Sequence, residues 1–447
     1  MKTFYRLLAT ALVVVTTNNF VWFALVFWAF LSTRSVISTS TMGGIYLVMV
    51  ALSGIWFGSI VDHHRKKHVM LGSSLATLLA FGLGLAVLHF APGGAFASVA
   101  SPWLWLLTII LLCGTISGTI YNIAIPTLVG LTVPEERRDR ANGMFGTVVG
   151  TAFAITSVAS GVALAHLGMK WVLGIAVAAT LVAMTMLALI RVEEREIVHL
   201  AEGGTKNVDV RGTIAAVRAI PGLFPLIFFT TFNNFLGGVF MALMDAYGLS
   251  LVSVQVWGFL WGFLSLGFIL GGLFIARRGL GPNPLRTLFR VNFAIWTVCI
   301  FFTIQPSLVL LTVGTFIWMF LYPFIEAVEQ TIFQKVVPPE RLGRVFGFAH
   351  SIEQSASPLT AFLIGPIAQF VFIPFMTTGA GVEWIGGWFG TGMGRGIALV
   401  FTAAGMVGLT VTALARRSRA YRLLASRYEA EDAAPASAAS SDATAPG

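Results

Sequence analysis

Val133 to Gly143 reads VPEERRDRANG, and 204 residues later Val337 to Gly347 reads VPPERLGRVFG. Both follow a long apolar run and share V-P-x-E-R-x-x-R-x-x-G. Two more pairs lie at nearly the same offset. TTNNF, Thr16 to Phe20, is matched by TTFNNF, Thr230 to Phe235, and GSIVDHHRKK from Gly58 is matched more weakly by GLFIARR from Gly272. Apolar helices bounded by basic loops resemble one another anyway, which accounts for the third pair but not for the VPxER agreement. Three repeats in one order describe a duplicated chain. The charged stretch VEEREIVHLAEGGTKNVDVRG, starting at Val192, falls between the two copies.

Composition says what is duplicated. Hydrophobic residues make up 57% of 447, charged residues 11%, and mean hydropathy is +0.85, against roughly 25% charged in a soluble domain. This is the signature of a polytopic membrane protein. A span needs about 20 mostly apolar residues, and twelve candidates follow: roughly 7–31, 42–61, 69–90, 102–130, 141–167, 171–190, 221–247, 252–276, 287–304, 307–333, 344–374 and 392–415. The N-terminal run continues past Trp28 without a small-residue cleavage site, so it is expected to be a retained first span rather than a signal peptide. The predicted fold class is an all-α membrane protein with two pseudo-symmetric six-helix bundles. They are assigned as 1–190 and 221–415, joined by a cytoplasmic loop 191–220 and followed by a cytoplasmic tail 416–447, disordered from about 429, where the composition becomes small and polar.

Charge tests the span count. If both termini are cytoplasmic, 25 of the 28 Lys and Arg fall on that side, leaving only Arg34, Lys170 and Arg395 opposite. The positive-inside rule predicts such a split for an even number of spans. The net charge of +9 therefore belongs to a membrane face. Nucleic acid is not an expected partner, because the basic run HHRKKH from His63 is a short loop between spans without interleaved aromatics. Its histidines lack acidic or thiolate companions, and Cys113 and Cys299 lack metal-ligand spacing, so no metal and no cofactor is expected.

Six-span repeats are an architecture of secondary transporters, with the substrate near the midplane between the repeats. The loop containing Gly58, Ile60, Asp62, Lys66 and Lys67 resembles the major facilitator superfamily signature G-x-L-x-D-R-x-G-R-K, with His63, Arg65 and Lys66 as departures. PTLVGLTVPEERRDRANG after span four resembles the P-E-x-x-R-x-x-A-N-G segment of that family's twelve-span drug-efflux branch. The resemblance covers roughly residues 5 to 420. It implies alternating access, proton antiport and no enzymatic activity. Two features common in that branch have no counterpart here: a basic residue in span four, and a Gly-Pro motif in span five, where Thr156 to Gly161 reads TSVASG.

By the resemblance, Asp62 is expected at the N-terminus of span eleven, near Arg344 to Phe348, as part of a cytoplasmic gate with Gly58, Arg65, Lys66 and Lys67. A carboxylate there would meet the positive end of a helix dipole. By the same resemblance spans one and seven face each other across the cavity, which makes Asp245 in span seven and Arg34 after span one candidates for an external ion-pair gate, two separate interfacial charges being the alternative. Charged groups inside a span cost at least ~2.5 kcal/mol on insertion scales, so they face a cavity or a partner. Glu326 and Glu329, spaced i, i+3, and Glu353 with His350 in span eleven are therefore the proton-coupling candidates. Burial favours the protonated form of a carboxyl group, and Glu326 and Glu353 lie deepest. For the cavity the candidates are Asn18, Asn233, Trp22, Asn122 and Trp318. In each Asn doublet the neighbours point about 100° apart on a helix, so Asn18 and Asn233 are assigned to the ligand, and Asn19 and Asn234 to helix contacts.

The resemblance, with these buried acids, implies proton-coupled efflux of hydrophobic or amphiphilic small molecules, expected of a monomer in a bacterial inner membrane. An importer, siderophore or lipid carrier on the same scaffold remains open. A membrane-embedded enzyme is disfavoured, since no G-x-S-x-G, H-E-x-x-H or P-loop occurs.

Overall fold

A computed structural model describes residues 2–33, 36–191, 210–426 and 428. Within the bilayer every backbone N–H and C=O must be paired inside the protein, and the described residues are accordingly helical. The first six spans are α1 (Lys2–Thr33), α2 (Val36–His63), α3 (Lys66–Phe90), α4 (Pro102–Gly118) with α5 (Tyr121–Thr132), and the two parts of α6 (Glu135–Leu189). A short helix α7 (Val210–Ala219) precedes α8 (Leu223–Leu249), α9 (Val254–Arg278), α10 (Pro284–Phe301) and α11 (Leu308–Val336). Span eleven is α12 (Leu342–Ile367) followed by a π-helical turn and α13 (Ile373–Thr377). Two short helices, α14 (Ala380–Trp384) and α15 (Gly386–Phe389), then lead to α16 (Met393–Arg417). Ten of the described helical stretches are long and apolar enough to cross a membrane, and α6 is long enough for two crossings.

Three sequence expectations change in detail. The expected link at Gly168 to Lys170 is a single non-helical residue, Gly168, at φ 77°, a backbone region that L side chains rarely adopt. Span four breaks after Gly118, where a turn through Thr119 and Ile120 separates α4 from α5. The stretch 191–220, expected as a loop, contains α7. Its residues 192–209, Arg34, and the tail beyond 428 lie outside the described residues.

The two halves cross at two joints, α2 against α12 and the first part of α6 against α9. Glycine permits both approaches. A Cβ at Gly58 would stand 2.5 Å from the Gly343 carbonyl oxygen and 2.9 Å from Gly347 Cα; one at Gly272 would stand 2.5 Å from Thr147 Oγ1 and 2.6 Å from its backbone nitrogen. Gly58 and Gly272 are the paired glycines of the weakest sequence repeat. The repeat thus marks the same packing role in both halves: a close helix approach that leaves no room for a side chain on the glycine.

Candidate functional site

The end of the molecule carrying the basic loops is closed by polar contacts between the halves. Asp62, 8% exposed at the end of α2, accepts the Gly343 N–H at 2.6 Å and the Arg344 N–H at 2.8 Å. These amides open α12, whose first turn has no helical partners for them. The Arg344 guanidinium lies 2.6 Å from His63 Nε2 and 3.8 Å from Asp62. At the second joint Asp139 of α6 accepts the Leu280 N–H at 2.9 Å, just past the end of α9.

Between these joints lies a network the sequence reading missed. Asn142 donates to Thr331 Oγ1 at 3.0 Å and to Gln334 Oε1 at 2.9 Å, and Gln334 donates to the Pro126 carbonyl at 2.8 Å. Arg138 donates to the Gln334 carbonyl at 3.0 Å and to the Gly130 carbonyl at 2.9 Å. Lys335 pairs with Glu135 at 3.2 Å. The signal was present, since Arg138 and Asn142 belong to VPEERRDRANG, but their partners are 189 to 196 residues away.

The remaining residues of the signature loop serve different neighbours. Arg65 is the exposed residue before α3. Lys66 is buried beside Asp62. Lys67 donates to the Ala188 carbonyl at 2.9 Å, holding α3 to the end of α6 within the first half.

Above the closed end a cavity of about 510 Å³ lies between the halves. The first half contributes Asn122, Asn142 and the face of α6 from Phe145 to Phe153; the second contributes residues of α8, α9, α10, α11 and α12. All four titratable candidates, Glu326, Glu329, His350 and Glu353, border it, and no Lys or Arg is among its described lining residues. Glu326 is exposed to the cavity, with the Tyr322 hydroxyl donating to it at 3.1 Å. Glu329 is buried. Thr230 Oγ1 of α8 lies 3.0 Å from Glu329 Oε1 and 2.7 Å from Glu353 Oε1, joining α8, α11 and α12. Gln330 Oε1 and His350 Nε2 make no hydrogen bond within the protein.

Trp318 lines the cavity beside Tyr322 and Phe268, with ring centroids 5.2 and 6.3 Å away. Trp22 does not line it; it stacks on Tyr46 at 4.3 Å inside the first half. The expected roles within the Asn doublets also need correction. Asn233 donates to the Phe229 carbonyl at 2.7 Å and accepts from Trp296 Nε1 at 2.8 Å, a helix contact, whereas Asn234 borders the cavity. Asn18 is buried against Gly118 of α4 and does not border the cavity either. The cause is rotational: one residue along a helix turns the side chain by about 100°, and the sequence does not fix the helix's rotation.

At the opposite end, Asp245 accepts from Trp257 Nε1 at 2.9 Å and Trp261 Nε1 at 3.1 Å. Its proposed partner Arg34 lies outside the described residues. Among described residues no cluster of His, Cys, Asp or Glu has a metal-binding arrangement.

Comparison with known proteins places this geometry. The sequence profile of the Major Facilitator Superfamily matches residues 7–361. Macrolide efflux protein A of Streptococcus pyogenes is 24% identical over 368 residues, covering 80% of this chain and 87% of that protein. The Enterococcus faecalis protein of the same name is 24% identical over 336 residues, covering 72% and 98%. Among solved structures, a bacterial homologue of the iron transporter ferroportin in an outward-facing state superposes with TM-score 0.68 at 12% identity, covering 94% of this chain and all of that one. The human organic anion transporter TETRAN superposes with TM-score 0.66 at 14% identity, covering 94% and 99%.

Proposed function

Because the chain belongs to the Major Facilitator Superfamily, we propose that it exports lipophilic and amphiphilic small molecules of the macrolide type, driven by proton exchange through the central cavity. The observation that carries this reading is the cavity itself, whose described lining residues include three carboxyl groups and no Lys or Arg among aromatic rings from both halves. Such a lining favours a neutral or cationic amphiphile over a sugar or an organic anion. Its volume, about 510 Å³, is in the usual range for drug-sized ligands. The relatives named for macrolide efflux cover most of the chain and supply the substrate class and the direction.

In this reading the basic end faces the cytoplasm of a bacterial cell. The contacts of Asp62, Asp139 and Asn142 then make this an outward-facing or occluded state with the cytoplasmic gate shut. Alternating access would break them and close the opposite end. Protons supply the drive, with one charge crossing 100 mV gaining about 2.3 kcal/mol, and the protein works as a monomer.

The test is uptake of a labelled macrolide and a cationic dye into inverted vesicles with an imposed proton gradient. Wild type should accumulate both and stop when the gradient collapses, and Glu326→Gln should lose gradient-driven uptake. Uptake indifferent to the gradient would exclude proton antiport.

A further inference from the structure

A second hollow lies outside the cavity and shares no lining residue with it. It is a groove of about 440 Å³ between α8, α10 and α16, at the end of the molecule that carries the basic loops. Pro225, Phe228 and Phe232 of α8, Leu285 and Phe289 of α10, and Leu414 of α16 form its walls. The lining side chains are apolar apart from the hydroxyls of Ser418 and Tyr421. Phe228 and Leu414 are each 63% exposed, so the groove opens sideways, where hydrocarbon surrounds a spanning chain.

Residues 419–426 form a helical segment that roofs the groove at the basic end. Gly222, at φ 84°, permits the close crossing: a Cβ there would stand 2.7 Å from the Ala420 carbonyl oxygen and 2.7 Å from Leu424 Cβ. Leu424 is buried, and Tyr421 meets Phe289 edge-on, with ring centroids 4.9 Å apart. Arg419 and Arg422 lie on the other face of this segment and are exposed. Two more exposed arginines flank the rim: Arg286 follows Leu285 in the first turn of α10, and Arg417 is three residues beyond Leu414 on α16. No Asp or Glu occurs in 222–232, 284–290 or 411–426. Among the described residues no carboxylate pairs with any of these four arginines.

From Gly222 to Phe232 the groove follows α8 for roughly 15 Å, half of a hydrocarbon core about 30 Å thick. Its depth is that of one leaflet. We propose that this groove binds one anionic phospholipid of the leaflet at the basic end, with an acyl chain between the three helices and the phosphate among Arg286, Arg417, Arg419 and Arg422. Guanidinium groups donate paired hydrogen bonds to phosphate oxygens, and basic clusters at the ends of spanning helices attract anionic headgroups. The chain's own tail matches only the charge. Residues 429–447 include Glu429, Glu431 and Asp432 but no Val, Ile, Leu or Phe to fill an apolar slot.

The test uses the full-length protein in nanodiscs of phosphatidylethanolamine mixed with either phosphatidylglycerol or phosphatidylcholine. Native mass spectrometry after gentle release should find one phosphatidylglycerol retained per chain, preferred over phosphatidylcholine by about tenfold. Arg286→Gln combined with Arg417→Gln should remove most of that preference. Arg277→Gln combined with Arg278→Gln, at exposed arginines that end α9 outside the groove, should leave it unchanged. Ala415→Trp, at the groove wall, should lose the retained lipid. Should that variant fail to fold, hydrogen exchange on the wild type supplies the location: phosphatidylglycerol should slow exchange of the 419–426 amides, and phosphatidylcholine should not. Equal retention of the two lipids, or equal losses in the two arginine pairs, would reduce the groove to ordinary boundary lipid and overturn the site. Protection of 419–426 by inorganic phosphate alone, marking a free-anion site, or a protein dimer in place of the lipid adduct, would overturn it as well.

Discussion

The Asp62 carboxylate and the Gly343 amide meet at 2.6 Å across the two halves, 281 residues apart in sequence. The neighbouring Arg344 amide binds the second carboxylate oxygen, so one side chain satisfies two of the amides that open α12.

Asp62→Leu should therefore release the basic end. Hydrogen bonds to a charged acceptor contribute about 1.5–3 kcal/mol each, so a loss on the order of 2 kcal/mol would shift the closed-to-open ratio roughly thirtyfold. Asp62→Asn, which retains one acceptor oxygen, should do less. Cysteine labelling at positions that line the closed end measures the shift, and equal labelling of wild type and Asp62→Leu would show that the contact does not hold the gate.

Gly58→Val should act on the same joint by sterics. Even its Cβ would stand 2.5 Å from the Gly343 carbonyl oxygen, a backbone atom that cannot rotate away. Gly72, whose Cβ would meet nothing within 4 Å, is the control. Gly58→Val should raise labelling of the basic end and abolish drug export, with Gly72→Val near wild type.

Asn142 and Gln334 should behave as one unit. Removing either leaves a buried polar partner unpaired, at about 1–3 kcal/mol. The double alanine variant should lose much less than the sum of the two singles, because the second change removes the group left orphaned by the first. Thermal unfolding of all four proteins in detergent gives the cycle, and strict additivity would contradict the network.

The two asparagines of the second doublet should separate by phenotype. Asn233→Ala removes the acceptor of Trp296 Nε1 and should lower thermal stability with little change in drug affinity. Asn234→Ala, at the cavity wall, should weaken drug binding severalfold with little change in stability. Ligand titration and melting curves on both variants decide it, and the reverse pattern would return the ligand contact to Asn233.

Asp245 should tolerate Asn but not Leu. An amide oxygen can still accept from Trp257 and Trp261, whereas leucine leaves two indole N–H groups without their acceptor. Transport by Asp245→Asn within about threefold of wild type, and a clear stability loss for Asp245→Leu, would mark this acid as an anchor for the two tryptophans. Complete inactivity of Asp245→Asn in a stable protein would instead call for a charge-dependent role.

Much was written in local sequence because bilayer physics is local. Apolar runs long enough to span, and the clustering of Lys and Arg in alternate loops, specify helices and their alternation without reference to packing. Gly58 and Gly272, or Asp62 and the amides of span eleven, were reachable because the repeat and the signature loop index positions along a helix. Rotation about the helix axis and long-range pairing are another matter. An α-helix built from Asn18 or Asn233 looks the same locally whichever way the amide points. Only the neighbouring surfaces of Gly118 and Trp296 turned those residues away from the cavity and brought Asn234 into it. The meeting of Thr230 with Glu329 and Glu353, from three helices 99 and 123 residues apart, was likewise decided by tertiary packing. Sequence by itself determined that this chain crosses the membrane in two repeated halves with acids buried inside. Packing of α8, α11 and α12 decided which of those acids reach the same hydroxyl, because contact between side chains depends on the relative rotation and depth of separate helices, quantities that no single segment encodes.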